Sequence, residues 1–229
     1  MSELFSIQLQ NRQQQGGDGV WLDLPTTTEQ VQAALRQIGI SSDNPQGLFI
    51  SGYFAEEEKR FAIPYNMVLA SNVDELNFLA SRLETLSAGE RAELNAALQV
   101  PQSELSSIGR ITDFPENVDY YVHLPDVHGP AQLGDYYLNR SGMVDMPEEW
   151  KGGIDTAQFG RYVAQQEQGA FTQYGYLVKS GDEWQKVYEG QPVPEEYRVL
   201  SFPAPEVMRD AANIPPPVQP ETEPQKVIP

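Results

Sequence analysis

The chain has 229 residues, 40% of them apolar and 10% aromatic, which is enough to build packed cores in one large domain or two to three small ones. Its 33 acidic and 15 basic residues leave a formal charge of -18, so free nucleic acid and anionic membrane surfaces are poor partners and basic protein surfaces good ones. With no cysteine, disulfides, thiolate metal sites and cysteine nucleophiles are excluded.

The first segment reads as a small sheet carrying one helix. LFSIQLQ alternates apolar and polar residues, QQGGDG supplies a turn and GVWLDL follows, which predicts a β-hairpin over residues 3 to 24. In TTTEQVQAALRQIGI, Thr27 or Thr28 caps a helix whose Val31, Ala34, Leu35 and Ile38 fall on one face, and Gly39 ends it. GLFISGYF, residues 47 to 54, reads as another strand.

The period then changes to that of helices. Leu76, Leu79, Ala80, Leu83 and Leu86 form a core stripe, and two capping boxes, Ser71 with Asp74 and Ser87 with Glu90, mark two helix starts. Short helices are expected around ENVDYYVHL, AQLGDYYLN and TAQFGRYVAQQ, followed by a hairpin in AFTQYGYLVKSGDEWQKVYEG turning at Ser180, Gly181 and Asp182. Residues 203 to 229 hold eight prolines and too few apolar side chains to offset ordering, so a disordered or polyproline tail is expected there. The fold class is therefore α+β: an N-terminal α+β domain over 1–66, a helical domain over 67–110, a C-terminal α+β domain over 111–202 and the tail.

Charge is unevenly distributed. Between residues 101 and 150 nine acids face two bases, and from Ile111 to Asn139 there is no lysine or arginine at all. Carboxylates with so little counter-charge repel one another and weaken a fold. They either coat a solvated surface or form a binding surface for a basic partner.

Catalytic patterns are sparse. His123 and His128, the two histidines, stand five residues apart and do not share a helix face in the manner of HExxH, and no GxxxxGK loop or GxSxG elbow occurs. No cofactor, metal or catalytic residue is assigned. A carboxylate pair of the glycosidase type is recognised by separation in space, so a carboxylate-based hydrolase stays as an alternative, beside a generic acidic adaptor for another basic protein. The N-terminus lacks a basic region followed by an apolar one, and no apolar run is long enough to span a bilayer, which points to the cytoplasm.

GVWLDLPTTTEQVQAALRQIGI followed by LFISGYF, then VDELNFLASRLETLSAGERAELNAAL, then MPEEWKGGIDTAQFGRYV with QYGYLV resemble, in order, the segments of the ArdA antirestriction proteins over about residues 5 to 180. The resemblance implies an elongated, curved molecule of three small domains, paired through its C-terminal domain. It also implies a non-enzymatic function carried on mobile genetic elements, in which the protein imitates bent DNA and occupies the DNA-binding site of type I restriction-modification enzymes, engaging their DNA-binding and methyltransferase subunits. On that reading Asp113, Glu116, Asp119, Asp126, Asp135, Asp145, Glu148, Glu149 and Asp155 stand in for phosphates, and Met143, Val144, Met146 and Phe159 supply the homodimer contact. Duplex DNA carries one charge per ~1.7 Å of axis, so the net charge matches roughly 31 Å of duplex for one chain and about twice that for a dimer. Two places depart from the family pattern. Gly52 and Phe54 stand where acids are common, and Gly153, Thr156 and Phe159 stand where tyrosines are common.

Overall fold

The computed structural model describes residues 4–14, 17–41, 47–56, 61–101 and 103–200. Strands β1 (Phe5–Asn11), β2 (Val20–Leu24) and β3 (Leu48–Phe54) form an antiparallel sheet in the order β2-β1-β3. The alternation in FSIQLQN is the reason: Phe5, Ile7 and Leu9 are buried on the core face, and Ser6 and Gln8 pair with Asp23 and Trp21 on the other. Helix α1 (Thr28–Gln37) packs on the core face with Val31, Ala34 and Leu35 buried. Thr27 accepts from the Gln30 N–H and Gln30 answers to the Thr27 N–H, a complete capping box.

Helix α2 (Tyr65–Leu69), which the sequence does not announce, leads into α3 (Val73–Glu84) and α4 (Ala88–Gln99). The stripe expected on α3 is core: Leu76, Leu79, Ala80 and Leu83 are fully buried, and Leu86 follows them in. The cap at Ser87 with Glu90 is as expected. The cap of α3 is one residue later than expected. Asn72 and Glu75 form the box, because the Ser71 hydroxyl donates to the Met67 carbonyl at 2.9 Å and belongs to the end of α2.

Helix α5 (Ile108–Thr112) opens the last part, followed by 3-10 turns at Phe114–Glu116 and Val118–Tyr120. ENVDYYVHL does not continue as a helix. Tyr121–Leu124 is strand β4, paired antiparallel with β6 (Gly175–Lys179), which also pairs with β5 (Ala170–Thr172), giving the order β4-β6-β5. The hairpin therefore turns at Gln173 and Tyr174 ahead of Gly175, whose φ of +121 excludes other residues, and residues 180 to 200 hold no strand. Helix α6 (Pro130–Asp135) runs into a π-helical turn at Tyr136–Arg140, then α7 (Glu148–Lys151) and α8 (Thr156–Glu167). Helices α6 and α8 cross with their backbones nearly touching. A Cβ on Gly160 would lie 1.8 Å from the Pro130 carbonyl oxygen, and one on Gly134 would lie 2.0 Å from that of Thr156.

The architecture is thus mixed α+β, with two three-stranded sheets and eight α-helices among the described residues. One apolar cluster runs from Leu4 through α3 and α4 to Leu177 and Val199, and a smaller one gathers Val127, Leu133 and Tyr176. Irregular segments are fastened to this core by buried amides. Asn77 accepts from the Thr26 N–H at 2.7 Å and donates to the Tyr197 carbonyl at 3.0 Å, and Asn95 accepts from the Ala62 N–H at 2.7 Å. Among the described residues no helix is long and apolar enough to cross a membrane. The proline-rich tail lies outside the described residues.

Candidate partner-binding surface

The acids of residues 113 to 155 are distributed over short turns, and their neighbours divide them into three groups. Asp113 is 0% exposed. Its carboxylate accepts from the Tyr188 N–H at 2.6 Å and the Glu189 N–H at 3.3 Å, so its charge is consumed in holding the chain's return across the 3-10 turns. It cannot present charge to a partner, which corrects the expectation for this residue. The N–H groups that hold it come from residues 75 and 76 positions further along the chain, which is why the sequence misleads.

Glu116, Asp135, Glu148 and Asp155 reach the surface with a partner of their own. Glu116 pairs with Arg82 of α3, Asp135 with Arg140 at 3.4 Å and Glu148 with Lys151 at 2.6 Å, while Asp155 caps α8 by accepting from the Gln158 N–H at 3.0 Å. Asp119, Asp126, Asp145 and Glu149 are exposed and have no ion pair or hydrogen bond among the described residues. These four carry the least compensated charge of the set.

Two further acids join the band from a place the sequence reading assigned to a hairpin turn. Asn117 accepts from the Gln185 N–H at 2.7 Å and donates to the Gln185 carbonyl at 2.9 Å, and the Ser180 N–H and hydroxyl both donate to the Tyr120 carbonyl. This lacing lays residues 180 to 185 against the 3-10 turns and brings Asp182 and Glu183 beside Glu116 and Asp119, around a hollow of about 420 Å³. No local pattern could have shown this, because the contacts join residues 60 and 68 apart in sequence. A separate cavity of about 640 Å³, lined by Met67, Phe78, Ile108 and Pro192, includes none of the band's acids.

Crowding shows in one proton affinity. Glu93 on α4 is pushed up to about 8, first by burial and then by the negative charges of Glu90 and Asp119, and its Oε1 is buried with no hydrogen-bond partner among the described residues. The folded state therefore holds a proton that the unfolded chain releases near the ordinary value of 4.5. The resulting stability is complete below about 4.5 and is lost as pH rises through about 8. Glu93→Gln is expected to be more stable than the parent at pH 8, by about 1–3 kcal/mol once solvent screening of this partly buried carboxyl is included, and equal to it near pH 4.5. Urea unfolding at the two pH values measures the difference, and a parent whose stability does not fall between them contradicts this account.

The residues expected at the dimer contact all reach the surface. Met143 is 74% exposed, Val144, Met146 and Phe159 are half-buried, and Trp150 of α7 and Tyr162 of α8 add exposed aromatic surface that the sequence reading did not single out. Of the histidines, His123 contacts the Tyr174 carbonyl at 2.8 Å and His128 is exposed. Among the described residues no three His, Asp or Glu side chains are grouped as metal ligands.

The family model of the antirestriction protein ArdA matches residues 17–178. The chain belongs to the ArdA family. No curated protein matches it. The ArdA match starts just before β2 and ends inside β6, so it contains every acid from Asp113 to Asp155, whereas β1, Asp182 and Glu183 lie beyond it. ArdA proteins are antirestriction proteins, and their action is directed at restriction-modification enzymes.

Proposed function

We propose that this ArdA protein inhibits type I restriction-modification enzymes by imitating DNA, its exposed carboxylates occupying the basic groove in which the enzyme holds duplex. The observation that carries the reading is the set of exposed acids without a counter-charge, Asp119, Asp126, Asp145 and Glu149, set in a segment with nine acids and two bases. Basic residues that bind phosphate respond to a carboxylate by the same electrostatics, while the protein offers no base to cleave or methylate. Glu116, Asp135, Glu148 and Asp155 contribute at reduced strength, since each already has a partner in this chain. A plating assay with phage in cells carrying a type I system, with and without the protein, tests it: survival of unmodified phage should rise when the protein is present, and unchanged restriction would refute the reading.

A homodimer formed through Met143, Val144, Met146 and Phe159, with the exposed Trp150 and Tyr162 contributing, doubles the length of duplex imitated. Burying so much exposed apolar surface is favourable at about 25 cal/mol per Å². Light scattering at micromolar concentration should give twice the monomer mass, and Met143→Asp with Trp150→Ser should return it to the monomer. A parent that is strictly monomeric sinks the dimer.

A further inference from the structure

The outer face of the N-terminal sheet exposes aromatic rings where a soluble sheet ordinarily shows polar side chains. Trp21 of β2 is 49% exposed and Phe54 of β3 is 54% exposed. They face each other across β1, edge to face, with ring centroids 6.5 Å apart. Gly52 makes the arrangement possible: a Cβ there would lie 3.0 Å from the far edge of the Trp21 indole, so the ring rests over bare backbone. Asp23 stands two residues along β2 on the same face, exposed, with its Oδ1 accepting from the Ser6 hydroxyl at 2.8 Å. Phe49, which pairs with the outward Gln10, shows how this face treats cations. The Arg12 guanidinium lies 5.2 Å from its ring centroid. Over Trp21 and Phe54 no cation is placed among the described residues.

We propose that Trp21, Phe54 and Asp23 form a docking site for an arginine side chain of a basic partner protein, the guanidinium lying against the rings as Arg12 lies against Phe49 and its charge directed to Asp23. Charge complementarity selects this occupant over an apolar segment: the face carries a carboxylate beside the rings, and the whole chain has a formal charge of -18. Guanidinium fits better than ammonium, because its planar, weakly hydrated group stacks on rings while a lysine ammonium is held in water. The inference deepens the proposed function and rests on it for the identity of the partner, adding to phosphate-like carboxylates a contact that duplex DNA does not offer.

Two measurements decide it. In the first, octa-arginine and octa-lysine are titrated into the full chain while the indole N–H of Trp21 and the ring resonances of Phe54 are followed by NMR. Octa-arginine should shift both, and about 0.3 M salt should remove less of that response than of the response to octa-lysine, because stacking is less screened than Coulomb attraction. Shifts confined to the acids of residues 113 to 155, or equal responses to the two peptides that vanish together with salt, overturn the site. In the second, binding of a purified type I enzyme is compared for the parent, Trp21→Ala and Phe54→Ser, each first checked for parental thermal unfolding. A weakening of about three- to fivefold for each is expected. An enzyme that binds all three equally removes the site from the complex. An enzyme that ignores even the parent defeats the proposed function instead, and the peptide titration still decides the surface. Should Trp21→Ala fail to fold, Phe54→Ser and the titration of the unaltered chain carry the test.

Discussion

Gly160→Ala is expected to be among the most destabilising single-methyl additions in this protein, costing about 3 kcal/mol or more. The new Cβ would sit 1.8 Å from the Pro130 carbonyl oxygen and 2.8 Å from the Gly134 backbone nitrogen. These are main-chain atoms of α6, so no rotamer change relieves the clash. The helices must move apart by more than an ångström, and the small cluster of Val127, Leu133 and Tyr176 beneath them opens. Alanine's better helix propensity, worth about 1 kcal/mol over glycine, is outweighed. Gly134→Ala should behave alike, since its Cβ would meet the Thr156 carbonyl oxygen at 2.0 Å. Gly89→Ala on α4 is the control: nothing lies within 4 Å of the added methyl, and the variant should be neutral or more stable by up to about 1 kcal/mol. For a chain of this size a 3 kcal/mol loss lowers Tm by about 6–12 °C. Thermal unfolding of the three variants measures it, and a Gly160→Ala protein that melts with the parent would mean that α6 and α8 do not cross this closely.

What could be read from the sequence follows the range of the interactions. Caps and apolar stripes are local, and a threonine cap at Thr27, one of the two offered, the Ser87 with Glu90 box and the Leu76–Leu83 stripe stand where their patterns put them. The α3 cap slipped by one residue because Ser71 and Asn72 are both good caps, and only the end of α2 decides between them. The misplaced hairpin is a longer-range failure. EWQKVYE follows a Ser-Gly-Asp turn signal, but Trp184 packs against Tyr120 with centroids 5.1 Å apart and Tyr188 against Phe78 at 5.0 Å, and the backbone there is held by Asp113 and Asn117 instead of a neighbouring strand. For the same reason YVHL is a strand: its Tyr121 and β-branched Val122 are used once β6 is beside them. The candidate site divides in the same way. That the segment is acidic is plain from composition. Which acids are free is not, because Asp113 is removed by burial, Glu116 by Arg82 from α3, and Asp182 and Glu183 arrive from beyond it.

That division sets the expectation for the acidic band. Changing Asp119, Asp126, Asp145 and Glu149 together to Asn and Gln should weaken binding to a type I enzyme by about 10²-fold, whereas each single change should cost only about 2–5-fold, as exposed charges worth about 0.4–1 kcal/mol apiece must. Distributed charge also fixes the response to salt. If each carboxylate meets a basic residue that phosphate would otherwise occupy, each neutralisation should flatten the dependence of log affinity on log salt by up to about 0.9, and four together by up to about 3.6. The same changes made at Glu116, Asp135, Glu148 and Asp155 should weaken binding less, because Arg82, Arg140, Lys151 and the first turn of α8 already answer those charges. Part of their effect should appear instead as lost stability. A catalytic carboxylate pair behaves in the opposite way, since loss of one member removes most activity at any ionic strength. Titration of the enzyme at several salt concentrations, with single and fourfold variants, separates the two. One isosteric change that abolishes inhibition while its neighbours do nothing would end the phosphate-mimic account and return the hydrolase reading to first place. Equal losses from the two fourfold sets would show that the chain's own ion pairs open on binding.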